Sequence, residues 1–212
     1  MDNLRSQGNE RLHKELNVIV GGNGSGKSTF FYRFLNSRGL TFLNADELAK
    51  SKWADEPEKH SYEAAQEIGR MRQMLLATHQ SFCFETVFSH TSKVDFLALA
   101  KSYGYTINLF VIHVGEDPTL NIARVANRKA NGGHSVPDEK VISRIPRMLD
   151  NVKKAVPLCT TVSFYDNSSA THPFKPVAVH KVNETLLHIT DMPKWASACI
   201  GNNYSTASPH VF

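Results

Sequence analysis

The chain has 212 residues, 41% of them hydrophobic, and a formal net charge of +4 at pH 7, which supports one well-buried core undivided by any Pro/Ser-rich linker or charge block. The mild basic excess suits a polyanionic small substrate but lacks the dense basic tracts of a dedicated nucleic-acid binder. Three widely separated cysteines in apolar surroundings suggest neither a disulfide frame nor a zinc site, and no apolar stretch approaches membrane-spanning length.

The first fifteen residues are polar and charged, without the apolar core of a leader peptide, and are expected to be an N-terminal extension of a cytoplasmic protein. Leu16-Asn17-Val18-Ile19-Val20 then reads as a short buried strand running into Gly21-Gly22-Asn23-Gly24-Ser25-Gly26-Lys27-Ser28-Thr29. Gly21, four intervening residues, Gly26, Lys27 and Ser28 satisfy the full spacing of a phosphate-binding P-loop, and Phe30-Phe31-x-x-Phe34-Leu35 fits a helix leaving it. Backbone N–H groups of such a loop turn inward around an anion, Lys27 is expected to bridge the terminal phosphates of ATP, and Ser28 to ligate Mg²⁺.

Leu40-Thr41-Phe42-Leu43 predicts a second strand, ending at Asn44-Ala45-Asp46. Asp46 follows Lys27 by nineteen positions at the end of this next strand, on the acceptor side of the expected phosphate site. A carboxylate there can orient an attacking hydroxyl and take its proton, or can simply cap the helix that begins at Glu47-Leu48-Ala49. Ala65, Ile68, Met71 and Leu75 recur at helical spacing within a helix from about Ser61 to Thr78, and Ser81-Phe82-Cys83-Phe84 predicts a third strand ending in Glu85-Thr86. Glu85 is placed to hold a Mg²⁺-bound water or to grip the substrate, and Thr86, with Ser89 and His90 beyond it, to face the acceptor; His90 also reads as a surface residue.

A helix from about Ser92 to Ser102 and a strand from Ile107 to His113 continue the alternation, followed by paired lid-like helices from Pro118 to Ala155. Arg124 and Arg128 lie four apart on one face of the first lid helix, an arrangement more comfortable with an anion between them. Arg144 falls near the edge of the apolar stripe of the second helix, while Arg147 points outward. Between the helices runs Asn131-Gly132-Gly133-His134-Ser135-Val136-Pro137, where glycines permit hinge-like dihedrals and His134 is a candidate contact to phosphate or substrate. A strand from Thr161 to Tyr165 ends at Asp166-Asn167, where Asn167 can meet the adenine ring or sit in a plain turn. The pattern weakens after Lys181, and residues 201–212 read as a flexible tail.

Strands alternating with helices specify an α/β fold, a parallel sheet flanked by helices on both faces, with ligands beyond the carboxyl ends of the strands. The P-loop, Asn44/Asp46, Glu85/Thr86 and Asp166/Asn167 all fall at such ends. The chain is expected to be a single P-loop domain, with residues 118–155 as its helical lid.

The glycine-rich loop, Asn44-x-Asp46, Phe84-Glu85-Thr86 and Ala123-Arg124-Val125-x-x-Arg128-x-x-x-Gly132-Gly133-His134-x-Val136-Pro137 together resemble the zeta toxin family over roughly Asn17 to Ser169. The resemblance implies a P-loop kinase that uses ATP and Mg²⁺ to phosphorylate a hydroxyl of a nucleotide-sugar such as UDP-N-acetylglucosamine, and that is held inactive by a small antitoxin protein. It implies that Lys27 is the phosphate lysine, Asp46 the catalytic aspartate, Glu85 and Thr86 substrate-pocket positions, and Arg124 or Arg128 the lid arginine. Arg124-x-x-x-Arg128 is also similar to the lid arginine pair of adenylate kinases. The segment around Gly132-Gly133-His134 is shorter than in the long Gram-positive toxins, which leaves a second essential arginine at Arg144 open. A different acceptor, such as an NAD-like dinucleotide or a nucleic-acid end, and a nucleotide sensor without turnover are the alternatives.

Overall fold

A computed structural model describes residues 14–130, 136–181, 184–188 and 192–201. Its centre is a seven-stranded sheet in the order β2-β3-β1-β4-β5-β6-β7, formed by β1 (Glu15–Val20), β2 (Thr41–Leu43), β3 (Phe82–Thr86), β4 (Thr106–His113), β5 (Thr161–Asp166), β6 (Lys175–Lys181) and β7 (Glu184–Leu187). The first five strands are parallel, with β1 between β3 and β4. Their carboxyl ends therefore share one rim, where the polar residues singled out by the sequence gather.

Burial on both faces explains the apolar run of β1. Leu16, Val18 and Val20 point into the larger core beneath α3 (Ser61–Ala77), α4 (Ser92–Ser102), α6 (Asp138–Ala155) and α7 (Lys194–Ile200), whereas Ile19 points to the other face. That second face is covered by the segment leaving the P-loop: α1 (Lys27–Phe30) widens into a π-type turn over residues 31–35. Phe30, Phe31 and Leu35 are buried there, and Phe31 stacks on Phe42 of β2 with ring centroids 3.6 Å apart. α2 (Ala45–Lys52) follows β2, and α5 (Thr119–Ala130) precedes α6.

The parallel sheet expected from the alternation holds for β1 to β5, and two further strands extend it: β6 runs antiparallel to β5, and β7 antiparallel to β6. Residues 167–174, which join β5 to β6, are too few for the crossover of a dozen or more residues that a parallel connection requires, so the chain reverses. The α/β architecture otherwise stands as a mostly parallel, P-loop kinase-like sheet with helices on both faces. Trp195, Ala196 and Cys199 of α7 join the larger core, and Trp195 packs on His113 at the end of β4. The loop containing His134, the first thirteen residues and the tail beyond Gly201 lie outside the described residues.

Candidate active site

The P-loop is held by its neighbours as much as by its own glycines. Gly24 and Gly26 adopt φ of 75° and 95°, in the left-handed region. A Cβ at Gly24 would sit 2.6 Å from the Asn121 carbonyl of α5, and one at Gly26 would sit 2.6 Å from Asn167 Nδ2, so both positions exclude a side chain sterically as well. Asn121 donates to the Asn23 carbonyl at 2.7 Å, and Arg144 Nη1 donates to Asn23 Oδ1 at 3.2 Å. Gly21 and Gly22 are buried behind the loop with Ser25, and these three do not line the cavity in front of it.

That cavity measures about 680 Å³. It is lined from the loop by Asn23, Gly24, Gly26, Lys27, Ser28 and Thr29, from the residues at and after the strand ends by Asn44, Asp46, Glu85, Thr86 and Asn167, and from α5 and α6 by Arg124, Arg128 and Arg144. Residues separated by more than a hundred positions in the chain thus meet in one space. Six cations (Lys27, Arg72, Lys93, Arg124, Arg128 and Arg144) face two carboxylates (Asp46 and Glu85), an excess that suits a polyphosphate.

Lys27 Nζ donates to the Gly22 carbonyl at 3.1 Å. Burial lowers its pKa, the Glu85 and Asp46 carboxylates oppose that shift, and Arg128 and Arg144 add to it. Glu85 is the complementary group: burial raises its pKa, while the Lys27 charge and a hydrogen bond from the Ser28 side chain hold it down. Glu85 Oε2 is buried without a hydrogen-bond partner. An acceptor oxygen stranded beside the P-loop serine fits a hydrated divalent cation, which takes few protein ligands when phosphates supply the others. Among the described residues there is no group of three or more His, Cys, Asp or Glu that could hold a metal independently.

The two readings of Asp46 separate at α2. Asn44, not Asp46, is its N-cap: Asn44 Oδ1 accepts from the backbone N–H of Asp46 at 2.9 Å and of Glu47 at 3.3 Å. Asp46 lies in the first turn with an exposed carboxylate, 3.9 Å from Arg128 Nη1. Asn44 lines the cavity as expected for a substrate contact, but its carbonyl oxygen is committed to the cap.

Asn167 lines the cavity and braces the loop as well: its Nδ2 donates to the Ser25 carbonyl at 2.8 Å and its Oδ1 accepts from the Phe174 N–H at 3.2 Å. Thr86 Oγ1 accepts from the Phe88 N–H at 3.1 Å, bracing the turn after β3. His90 is exposed, bonded to Ser92 and outside the cavity, which is its surface reading; Arg147 folds back onto Ser143. His134 lies outside the described residues.

Arg72 and Lys93 line the cavity and were missed by the sequence reading, although a signal existed. Arg72 falls four residues after Ile68 and three before Leu75, on the buried stripe of α3, and Lys93 falls four before Leu97 on that of α4. A cation on an apolar stripe is the anomaly that marks them.

A sheet of this order with a glycine loop after its central strand defines a P-loop nucleotide-binding protein. The chain matches the AAA_33 family, described as an AAA domain, over residues 16–153, and belongs to it. No curated protein matches it. Among solved structures it is similar to the PezAT chromosomal toxin–antitoxin system of Streptococcus pneumoniae, with TM-score 0.55 and 14% identity over 72% of this chain and 68% of that one. It is similar to the AvrRxo1-ORF1:-ORF2 complex, with TM-score 0.65 and 16% identity over 82% of this chain and 61% of that one, and to that complex with ATP, with TM-score 0.63 and 17% identity over 79% and 58%. At these identities the likeness is one of fold, and this chain spans about three-fifths of the AvrRxo1 chains it matches. Among the described residues no helix is long and apolar enough to cross a membrane.

Proposed function

We propose that the protein is an ATP-dependent kinase that transfers the γ-phosphoryl group to a hydroxyl of a phosphate-bearing small molecule, with a nucleotide-sugar such as UDP-N-acetylglucosamine as the first acceptor to test. The observation that carries this reading is the placement of Asp46: its carboxylate opens onto the same cavity as Lys27 and is freed from helix capping by Asn44.

In this reading the loop from Gly21 to Thr29 cradles the phosphates of ATP and Lys27 exchanges its bond to the Gly22 carbonyl for phosphate oxygens. Ser28 and Glu85 would hold Mg²⁺, which would supply neutralisation of phosphate charge when bound. Asp46 accepts the proton of the acceptor hydroxyl as its oxygen bonds to the γ-phosphorus and the bond from that phosphorus to the leaving oxygen of ADP breaks. Arg128, beside Asp46, meets the charge that develops on the transferring group, with Arg124 and Arg144 flanking it. Such an arginine contributes about 10³–10⁵ in rate where it has been measured. Asn167 braces the P-loop against the turn at Phe174, and Thr86 holds the turn on the acceptor side.

The test is to incubate the full chain with Mg·ATP and UDP-N-acetylglucosamine and look for the added phosphoryl mass, with Asp46→Asn as control. A product lost in the variant supports the reading. A phosphorylated species formed only from a metabolite extract moves the acceptor elsewhere, and nucleotide binding without any product leaves a sensor. The resemblance to toxins adds a second proposal, that the chain is held in check by a small antitoxin. Expression of the wild type, but not of Asp46→Asn, then arrests bacterial growth; harmless wild-type expression defeats it.

A further inference from the structure

Two cations in the cavity, Arg72 and Lys93, come from α3 and α4 rather than from the loop or from α5 and α6, and no carboxylate is in salt-bridge contact with either among the described residues. Arg72 is only 9% exposed, its guanidinium lies 4.7 Å from the ring centre of Phe84 and 5.3 Å from that of Phe96, and its Nε has no hydrogen-bond partner. Lys93, half-buried at the start of α4, lines the same cavity. Among the described residues neither forms an ion pair. The carboxylates of Glu85 and Asp46 act on Lys27 instead.

This arrangement is unfavourable as it stands. Burial lowers the pKa of both groups, and the Arg72 charge helps bring Lys93 down to about 8. Ala65 and Ile68 add apolar carbon to the wall rather than counter-charge. Two aromatic rings stabilise the Arg72 cation but leave its charge in place, and Lys93 has neither ring nor carboxylate to offset its own. Buried cations are ordinarily paired, so the missing partner is an anion that arrives with a ligand. A planar guanidinium fork and an ammonium group side by side match the oxygens and the double charge of a phosphate better than a single carboxylate.

We infer that Arg72 and Lys93 form a second anion subsite, which holds a phosphate or diphosphate already present on the acceptor. The inference rests on the kinase reading above and gives the acceptor's own phosphate a place, anchored between α3 and α4 while the acceptor hydroxyl reaches Asp46.

Isothermal titration tests the subsite. The full chain is first saturated with Mg²⁺ and a non-hydrolysable ATP analogue, then titrated with inorganic pyrophosphate. One equivalent is expected to bind, weakened by roughly tenfold or more in Lys93→Gln, with analogue affinity unchanged and pyrophosphate binding restored in Lys93→Arg. Arg72→Lys, which keeps the charge but not the fork, is expected to weaken pyrophosphate as well. Pyrophosphate that fails to bind the loaded protein, or that binds Lys93→Gln as tightly as wild type, overturns the subsite. Malonate binding as tightly as pyrophosphate overturns its assignment to phosphate. Failure of the kinase reading shows separately, as pyrophosphate binding to the loaded protein while Mg·ATP yields no phosphorylated product from any offered alcohol.

Discussion

Arg128 Nη1 stands 3.9 Å from Asp46 Oδ2, joining α5 to the first turn of α2 at the cavity. Both side chains remain more than a third exposed, so the pair itself contributes at most about 1 kcal/mol to stability. Its value lies in where it puts a cation: next to the carboxylate proposed to aim the acceptor.

Arg128→Ala is therefore expected to slow phosphoryl transfer far more than it weakens ATP binding, by about 10³-fold or more in kcat. Single-turnover rates and nucleotide titration on the same preparation check this. Equal losses in both would contradict a role confined to the transition state.

The cap on α2 makes a pair of neighbouring substitutions diagnostic. Asn44→Ala should cost about 1 kcal/mol in urea unfolding, because two backbone N–H groups lose their acceptor. Asp46→Asn should change stability by a few tenths of a kcal/mol at most, yet lower transfer by about 10²–10⁴-fold with ATP still bound.

Lys27→Met removes the charge that holds the Glu85 carboxyl down against its burial. Transfer should fall by at least about 10²–10³-fold, and Glu85 should then retain its proton to a higher pH than in the wild type, which a difference infrared titration of the carboxyl band would register.

His113 gives the fold a built-in sensitivity to acid. Burial against Trp195 depresses its pKa to about 4, while Asp166, its register partner on β5, pulls the other way. A histidine depressed in the native state contributes stability that is present above its ordinary value near 6.5 and is lost as pH falls toward 4, by up to about 3 kcal/mol. Urea unfolding between pH 7 and pH 4 should show that loss, and His113→Phe should flatten it.

Where local chemistry is dense the sequence was readable: the P-loop spacing, the carboxylates at strand ends and the arginines four apart all fall on one cavity. The antiparallel β6 and β7 were not, because Lys175-Pro176-Val177-Ala178-Val179-His180-Lys181 mixes charge and Pro with a short apolar centre, and strand direction depends on a connection whose length no propensity records. Asn44 and Asn167 were singled out for ligands and also carry backbone loads: Asn44 caps the two N–H groups just after it, a local role its position at a helix start signals, whereas Asn167 reaches the Ser25 carbonyl across the fold, which no local pattern records. Arg72 and Lys93 escaped because charged residues on helices are read by default as solvent-facing.

The amide of Asn167 has a mechanical implication. With one end on Ser25 and the other on Phe174, it acts as a strut between the anion cradle and the turn that opens the antiparallel edge. A displacement at that edge, whatever its source, reaches the cradle through this amide as well as through the packing of Phe174 on Phe30, and Asn167→Asp, which sets oxygen against the Ser25 carbonyl oxygen, would remove the polar link without emptying the space.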